Sequence, residues 1–298
     1  MNYNLITGIS FLISAASVPL LIFFSQNKKV FDFPEGDELK IHKKPVSILG
    51  GFSLFLAAMT AFLFLNYQNY NYRYIFFILG CLIIFLLGLW DDLKWKHISA
   101  RKPYFKFFLL TVCSLAAAFV LYFSGYKSYL LIFSAFIYIF ILINAINYQD
   151  GMDGQAGILV FISLIGFSVL SYISGDKFSL EISLAFLGAV LGFLIYNFPP
   201  AKIFMGDSGA YLLGFVLATL VLNFSNNILS ALFIIGLPLF DGVYTNLRRL
   251  LKGKSIFLGD REHFYDKMIK KGFSVKKTLF ISAVVQTLFV ISGVLVAI

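Results

Sequence analysis

Charged residues are scarce in this chain. Only 13% of its 298 residues are Asp, Glu, Lys or Arg, whereas 59% are hydrophobic. Soluble domains carry about a quarter charged and about half apolar residues, so an ordinary soluble domain is excluded. Cysteine is nearly absent. Cys81 and Cys113 lie in apolar stretches, with no CxxC and no His/Cys ligand spacing. A disulfide framework and a structural zinc are therefore not indicated, and two inert core thiols remain. Histidine is limited to His42, His97 and His263. Acidic residues are outnumbered, 15 against 24 Lys and Arg, for a formal charge of +9. In a soluble protein that excess would suggest nucleic acid. Here the basic residues sit in short loops between apolar runs, as membrane topology requires, and no nucleic-acid partner is expected.

What the chain has in abundance is long apolar runs, which hold many of its 36 Phe and 16 Tyr. About 20 apolar residues at about 1.5 Å rise cross about 30 Å of hydrocarbon. The pattern predicts an all-α integral membrane protein of about ten spans, near 5–25, 46–66, 74–90, 104–123, 128–147, 157–174, 180–196, 208–224, 228–247 and 278–298. The first run has no basic residues before it, and Lys28 and Lys29 follow it. It reads as a retained helix rather than a cleaved leader. No soluble segment fits between spans, so residues 1–298 read as a single polytopic domain.

The connections alternate in character. Only Arg73, Lys127 and Lys177 of the 24 basic residues fall in the short connections 66–73, 124–127, 175–179 and 223–227. The rest mark the other side as cytoplasmic. Carboxylates follow them, with only Asp176 and Glu181 at the outer side and Asp241 inside the ninth span. Acidic residues contribute little to topology. Their gathering points to chemistry at the cytoplasmic face, although longer inner loops collect more of every charge.

Four constellations stand at that face. Asp91-Asp92 ends the third span, followed by Lys94. Adjacent carboxylates repel and cost desolvation near lipid, which a cation would relieve. Oxygen-rich pairs suit Mg²⁺ or Mn²⁺ joined by substrate phosphates; a solvated helix end is the simpler alternative. Asn144, Asn147, Asp150 and Asp153 leave the fifth span three residues apart, on one helix face at first, with Gly151 and Gly154 admitting close backbone approach. The twelve-position pattern of an EF-hand is absent. Phe204-Met205-Gly206-Asp207-Ser208-Gly209 opens the eighth span. Asp207 and Ser208 suit an N-cap. They also suit an anion and metal site, where free N–H groups meet phosphate and Asp207 holds a bridging cation. Phe204 offers a ring for a planar base. Finally Arg248, Arg249, Lys252 and Lys254 precede Asp260-Arg261-Glu262-His263 in the longest inner loop. Guanidinium and ammonium groups suit diphosphate oxygens, or merely topology and anionic lipid. Asp241 costs about 2.5–3.5 kcal/mol in mid-span on insertion scales, so it is expected to face a polar partner such as Arg248 or Arg249.

Together these residues resemble one family. Asp91-Asp92, Asn144-x-x-Asn147-x-x-Asp150-Gly-x-Asp153-Gly, Phe204-Met-Gly-Asp207-x-Gly and Asp260-Arg-x-His263 occur in one order at successive cytoplasmic exits. The pattern is similar to that of the polyprenyl-phosphate N-acetylhexosamine-1-phosphate transferases, which start cell-surface glycan synthesis. The resemblance runs from the His42 segment to the last loop. It implies transfer of sugar-1-phosphate from a UDP-sugar to polyprenyl phosphate in a prokaryotic plasma membrane, releasing UMP, with Mg²⁺ or Mn²⁺ as cofactor. By motif, it implies Asp207 and Asp92 as metal ligands and Asp91, Asp92, Asp150, Asp153 and His263 as catalytic. Asn144, Asn147, Phe204, Arg248, Arg249, Arg261 and Lys94 are the implied substrate-binding groups. A homodimer is compatible with it. Family members often carry several histidines in the last loop, whereas Phe264, Tyr265 and Asp266 follow His263 here. That departure points to a UDP-N-acetylhexosamine donor rather than the muramoyl-pentapeptide substrate. The competing expectation is a transporter, which would gather polar residues near the bilayer midplane.

Overall fold

The computed structural model describes residues 3–28, 30–32, 45–66, 72–95, 103–123, 129–255 and 260–298. His42, His97 and Lys127 lie outside the described residues, as does the side chain of Lys94. The chain is an all-helical membrane protein. Its helices are α1 (Tyr3–Lys28), α2 (Gly50–Asn66), α3 (Tyr72–Trp90), α4 (Pro103–Phe123), α5 (Tyr129–Gln149) and α6 (Gln155–Ser174). There follow α7 (Lys177–Asn197), α8 (Gly206–Asn223), α9 (Ile228–Ile234), α10 (Gly236–Leu251), α11 (Phe264–Lys270) and α12 (Val275–Ala297). Asp91–Trp95 prolongs α3 as a π-helical turn.

Every expected span coincides with a helix or with a broken pair. The count of ten is not carried through, however. Among the described residues seven helices are long and apolar enough to cross, and eight if α9 and α10 form one broken span. The apolar stretches of α2 and α4, Gly50–Phe64 and Phe108–Val120, are shorter. The ninth span is not one rod: α9 and α10 meet at 84°. Pro238 explains the break, because it lacks the N–H that a continuous helix would donate to Ile234 C=O.

Helix α8 forms the centre of the bundle, with its residues from Gly209 to Leu222 buried. In lipid, helices associate by close packing rather than by hydrophobic transfer, and small residues let backbones approach. A side chain at Gly88 would stand 2.5 Å from Ser208 Cα, and one at Gly51 would stand 2.2 Å from the Gly209 nitrogen. These glycines bring α2 and α3 onto the start of α8. The chain before α8 is stitched to a two-stranded ribbon of β1 (Phe31–Asp32) and β2 (Val46–Ser47). Phe204 N–H donates to Ser47 C=O at 2.7 Å, and Gly50 N–H returns a bond to Phe204 C=O at 3.0 Å.

The two ends of the bundle differ. At one end Tyr74 donates to fully buried Glu181 at 3.0 Å, and Arg73 donates to Asn223 at 3.0 Å. At the other end lie the carboxylates that the sequence collects there. Helix α10 is inverted in its amphipathicity. Phe240, Tyr244, Leu247 and Leu251 are exposed, while Asp241, Thr245, Arg248 and Arg249 are buried. Its apolar face thus meets lipid and its polar face looks into the protein.

Candidate active site

The π-helical turn after α3 points Asp91 and Asp92 at α8, and both are buried. Asp92 receives the Asp207 and Ser208 N–H groups, one on each oxygen, both at 2.9 Å. A carboxylate from another helix therefore caps α8, where the helix dipole favours negative charge. Asp91 accepts the Tyr211 hydroxyl at 2.8 Å. Gly206 makes the arrangement sterically feasible: its φ is +70°, and a Cβ would stand 2.6 Å from Asp92 Oδ2. Asp91 and Asp92 thus stand behind Asp207 rather than in the wall of the cavity.

That cavity, about 440 Å³, opens where α5, α8 and the α10–α11 segment meet. Of the sequence-predicted residues, Asn147, Asp150, Asp153 and Phe204 line it, as do Asp207, Arg261 and His263. Asn147 Nδ2 donates to Asp207 Oδ1 at 2.5 Å. Asp153 accepts the Ala201 N–H at 2.9 Å, tying the α5–α6 turn to the segment before α8. Asn144 does not reach the cavity, because its amide donates to Phe140 C=O in its own helix.

His263 is the most constrained side chain in the wall. Its Nδ1 lies 2.9 Å from Asp241 Oδ2 and 3.3 Å from Thr245 Oγ1. Asp241 also accepts Phe264 N–H and Gln149 Nε2, both at 2.8 Å. The imidazole lies between the rings of Tyr148 and Tyr265, with centroids at 5.1 and 5.9 Å. The Tyr265 hydroxyl donates to Tyr148 C=O at 3.2 Å. Burial, then the charges of Asp266, Asp241 and Asp150, push the Tyr265 phenol well above its ordinary range, so it remains a neutral donor.

Two expectations about the basic loop need correction. Asp241 was expected to face Arg248 or Arg249, but its partners are His263, Gln149 and the Phe264 N–H. Arg248 and Arg249 instead grip Asp260, at 3.0 and 3.1 Å, and Arg248 also pairs with Glu262. Paired this way, the two arginines do not line the cavity, and Arg261 is the guanidinium that does. Burial raises the Asp260 carboxyl, but the bonds and charges of Arg249 and Arg248 outweigh it and hold the group at about 2.

Sequence reasoning passed over Asn197 and Asp32, which also line the cavity. Asn197 accepts Gly154 N–H at 3.1 Å and donates to Ile203 C=O at 2.8 Å, joining two motifs. The signal was available: a polar residue at a helix exit on the charge-rich side, two residues before a Pro-Pro pair. Asp32 is one acid in a charged loop, with no spacing to mark it.

The donor chemistry fits a hard divalent cation. Such ions take one or two carboxylates, keep several waters and accept substrate phosphate oxygens. Asp207 and Asp150 supply carboxylates to one cavity. Among the described residues no three acidic, histidine or cysteine side chains converge into a protein-only cage.

Comparisons with known proteins agree in one direction. The profile of glycosyl transferase family 4 matches residues 74–225. A Bacillus subtilis protein named as a probable undecaprenyl-phosphate N-acetylglucosaminyl 1-phosphate transferase is 30% identical, over 86% of this chain and 74% of its own. A phospho-N-acetylmuramoyl-pentapeptide-transferase of Dictyoglomus thermophilum is 33% identical over 97% of this chain and 96% of its own. An undecaprenyl-phosphate alpha-N-acetylglucosaminyl 1-phosphate transferase of Yersinia pestis is 28% identical, covering 86% and 74%.

Proposed function

The chain belongs to glycosyl transferase family 4, and from that premise we propose that it transfers N-acetylhexosamine 1-phosphate from a UDP-sugar to polyprenyl phosphate. The products are a polyprenyl-diphosphate sugar and UMP, and residues 1–298 act as one transferase domain. The observation that carries this reading is the meeting of Asp207, Asp150, Arg261, His263 and Phe204 around one cavity at the carboxylate-rich end of a membrane bundle. A transporter would instead concentrate polar groups in mid-bilayer, and the relatives' names give that reading no support.

The chemistry follows from charge. An acceptor phosphate oxygen attacks the β-phosphorus of the donor, and the bond to the UMP oxygen breaks. The nucleophile is already anionic, so no strong base is required. Catalysis then rests on positioning and on screening the anions. Asp207 would hold Mg²⁺, or Mn²⁺ in its place, with Asp150 lining the same cavity. When bound, the cation would supply charge neutralisation for the phosphates. Asp92 fixes the direction of Asp207 by capping α8, and Asp91 braces the same turn through Tyr211. With Nδ1 engaged by Asp241, His263 has Nε2 left to meet a substrate oxygen. Arg261 offers diphosphate a fork of donors. Phe204 would stack on uracil, and Asn147 and Asp153 shape the nucleotide end. The basic loops support a cytoplasmic site in a prokaryotic plasma membrane. Release of UMP from a panel of UDP-N-acetylhexosamines, with polyprenyl phosphate and Mg²⁺, tests the reaction and identifies the sugar.

A further inference from the structure

The break between α9 and α10 leaves two backbone groups without helical partners. In an unbroken helix the residue-238 N–H would meet Ile234 C=O, but residue 238 is proline. The Leu237 N–H would meet Phe233 C=O, which the Ile235 N–H takes instead. Such groups cannot stay unpaired at membrane depth, where no water reaches them.

One side chain on another helix meets both. Gln286 of α12 is fully buried. Its Oε1 accepts Leu237 N–H at 2.9 Å, and its Nε2 donates to Ile234 C=O at 2.8 Å. The second Nε2 hydrogen goes to Ser163 Oγ on α6 at 2.8 Å, and Ser163 donates its own proton to Ile234 C=O at 2.9 Å. A side-chain amide offers two donor hydrogens and an acceptor oxygen, and here both hydrogens and the oxygen are engaged. Close packing surrounds it. A side chain at Gly236 would stand 2.3 Å from the Phe289 ring, and one at Gly293 would stand 2.8 Å from Ser230 C=O.

We propose that Gln286, with Ser163, is a positioning residue for catalysis: it pins the angle of the break and so sets where α10 delivers Asp241 to His263. Gln286 bonds the two ends of the break and is not part of the cavity wall. Its effect on turnover runs through α10, whose Asp241 fixes His263 Nδ1 and the Phe264 N–H. A leucine in its place would fill the volume, strip Leu237 N–H of its acceptor and leave Ile234 C=O with Ser163 alone. The kinetic part rests on the transferase reading; the geometric part does not.

The test uses the full chain in lipid nanodiscs. Spin labels are placed at Leu251→Cys on exposed α10 and Tyr172→Cys on exposed α6, with Cys81 and Cys113 changed to alanine. Gln286→Leu is expected to shift or broaden the label distance. It should also lower kcat at least tenfold, with the donor KM changed less than threefold. Gln286→Glu, assayed near pH 6, keeps one acceptor and, protonated, one donor. It is expected to restore the narrow distance and more than a third of kcat. If Gln286→Leu fails to fold, Ser163→Ala carries the test, with a broader distance and a kcat about threefold lower. An unchanged distance, or unchanged kcat despite a moved α10, would overturn the proposal. An inactive parent protein would sink the transferase reading alone, since the distances still report on the break.

Discussion

Asp92 accepts the backbone N–H of Asp207 at 2.9 Å, so a carboxylate at the end of one helix caps another helix and aims its first acidic side chain. Asp92→Ala removes two charge-assisted bonds at a helix N-terminus. A lost cap costs about 0.5–2 kcal/mol, and lost bonds to a charged group cost about 1.5–3 kcal/mol. The variant is expected to unfold at lower temperature in detergent and to lose at least a hundredfold in UMP release. Normal turnover at reduced stability would confine Asp92 to folding.

Asp241 and His263 form a second such pair, 2.9 Å apart. Asp241→Leu leaves the imidazole with Thr245 alone and the Phe264 N–H without its acceptor. Turnover is expected to fall by about 100-fold, the low end of the usual contribution of a positioned acid–base group. Asp241→Asn keeps an acceptor for one partner and should fall less. Steady-state rates of both variants decide the order.

Gly151 faces Tyr265 so closely that a Cβ there would stand 2.0 Å from the phenol oxygen. Gly151→Ala is therefore expected to displace Tyr265 and, with it, the ring packed on His263. The loss should exceed that of Tyr265→Phe, which removes one bond to Tyr148 C=O, worth about 0.5–1.5 kcal/mol. Equal activity in the alanine variant and the wild type would mean that the ring is not held against His263.

Asp260 carries the pH dependence. Its carboxyl is held at about 2, below the ordinary 3.8, because Arg249 and Arg248 outweigh its burial. A carboxyl lowered on folding stabilises the protein above its ordinary pKa and ceases to do so as pH falls through the lowered one. The stabilisation from this grip should accordingly fade between about pH 4 and pH 2. Thermal unfolding of Asp260→Asn is expected to be flatter over that window than that of the wild type, and to lie below it at neutral pH.

Much of the architecture was legible in the residues, because lipid imposes simple rules. Apolar length marks the helices, and loop charge marks the sides. Each of the four motifs contributes a side chain or a cap at one end of the bundle. What escaped was set by partners distant in sequence. The bend at Ile235 needed Pro238 to be read with Gln286, 48 positions on. Span-length windows therefore took 228–247 as one rod. Asp91 and Asp92 looked like cavity ligands because nothing local shows that Tyr211 and the start of α8 would take their oxygens. Arg248 and Arg249 looked like diphosphate ligands until Asp260 claimed them. Asn144 shares a helical face with Asn147, but its amide turned to its own backbone, a competition open to any short polar side chain.

The central claim is that Asp207 organises phosphoryl transfer in this cavity. The most direct measurement is lipid-linked sugar and UMP formed by purified protein from UDP-N-acetylhexosamines and polyprenyl phosphate. It is made with and without EDTA, in the wild type and in Asp207→Ala. Product is expected from at least one donor, lost in EDTA and reduced at least a thousandfold in a folded Asp207→Ala protein. Undiminished product from Asp207→Ala would contradict it.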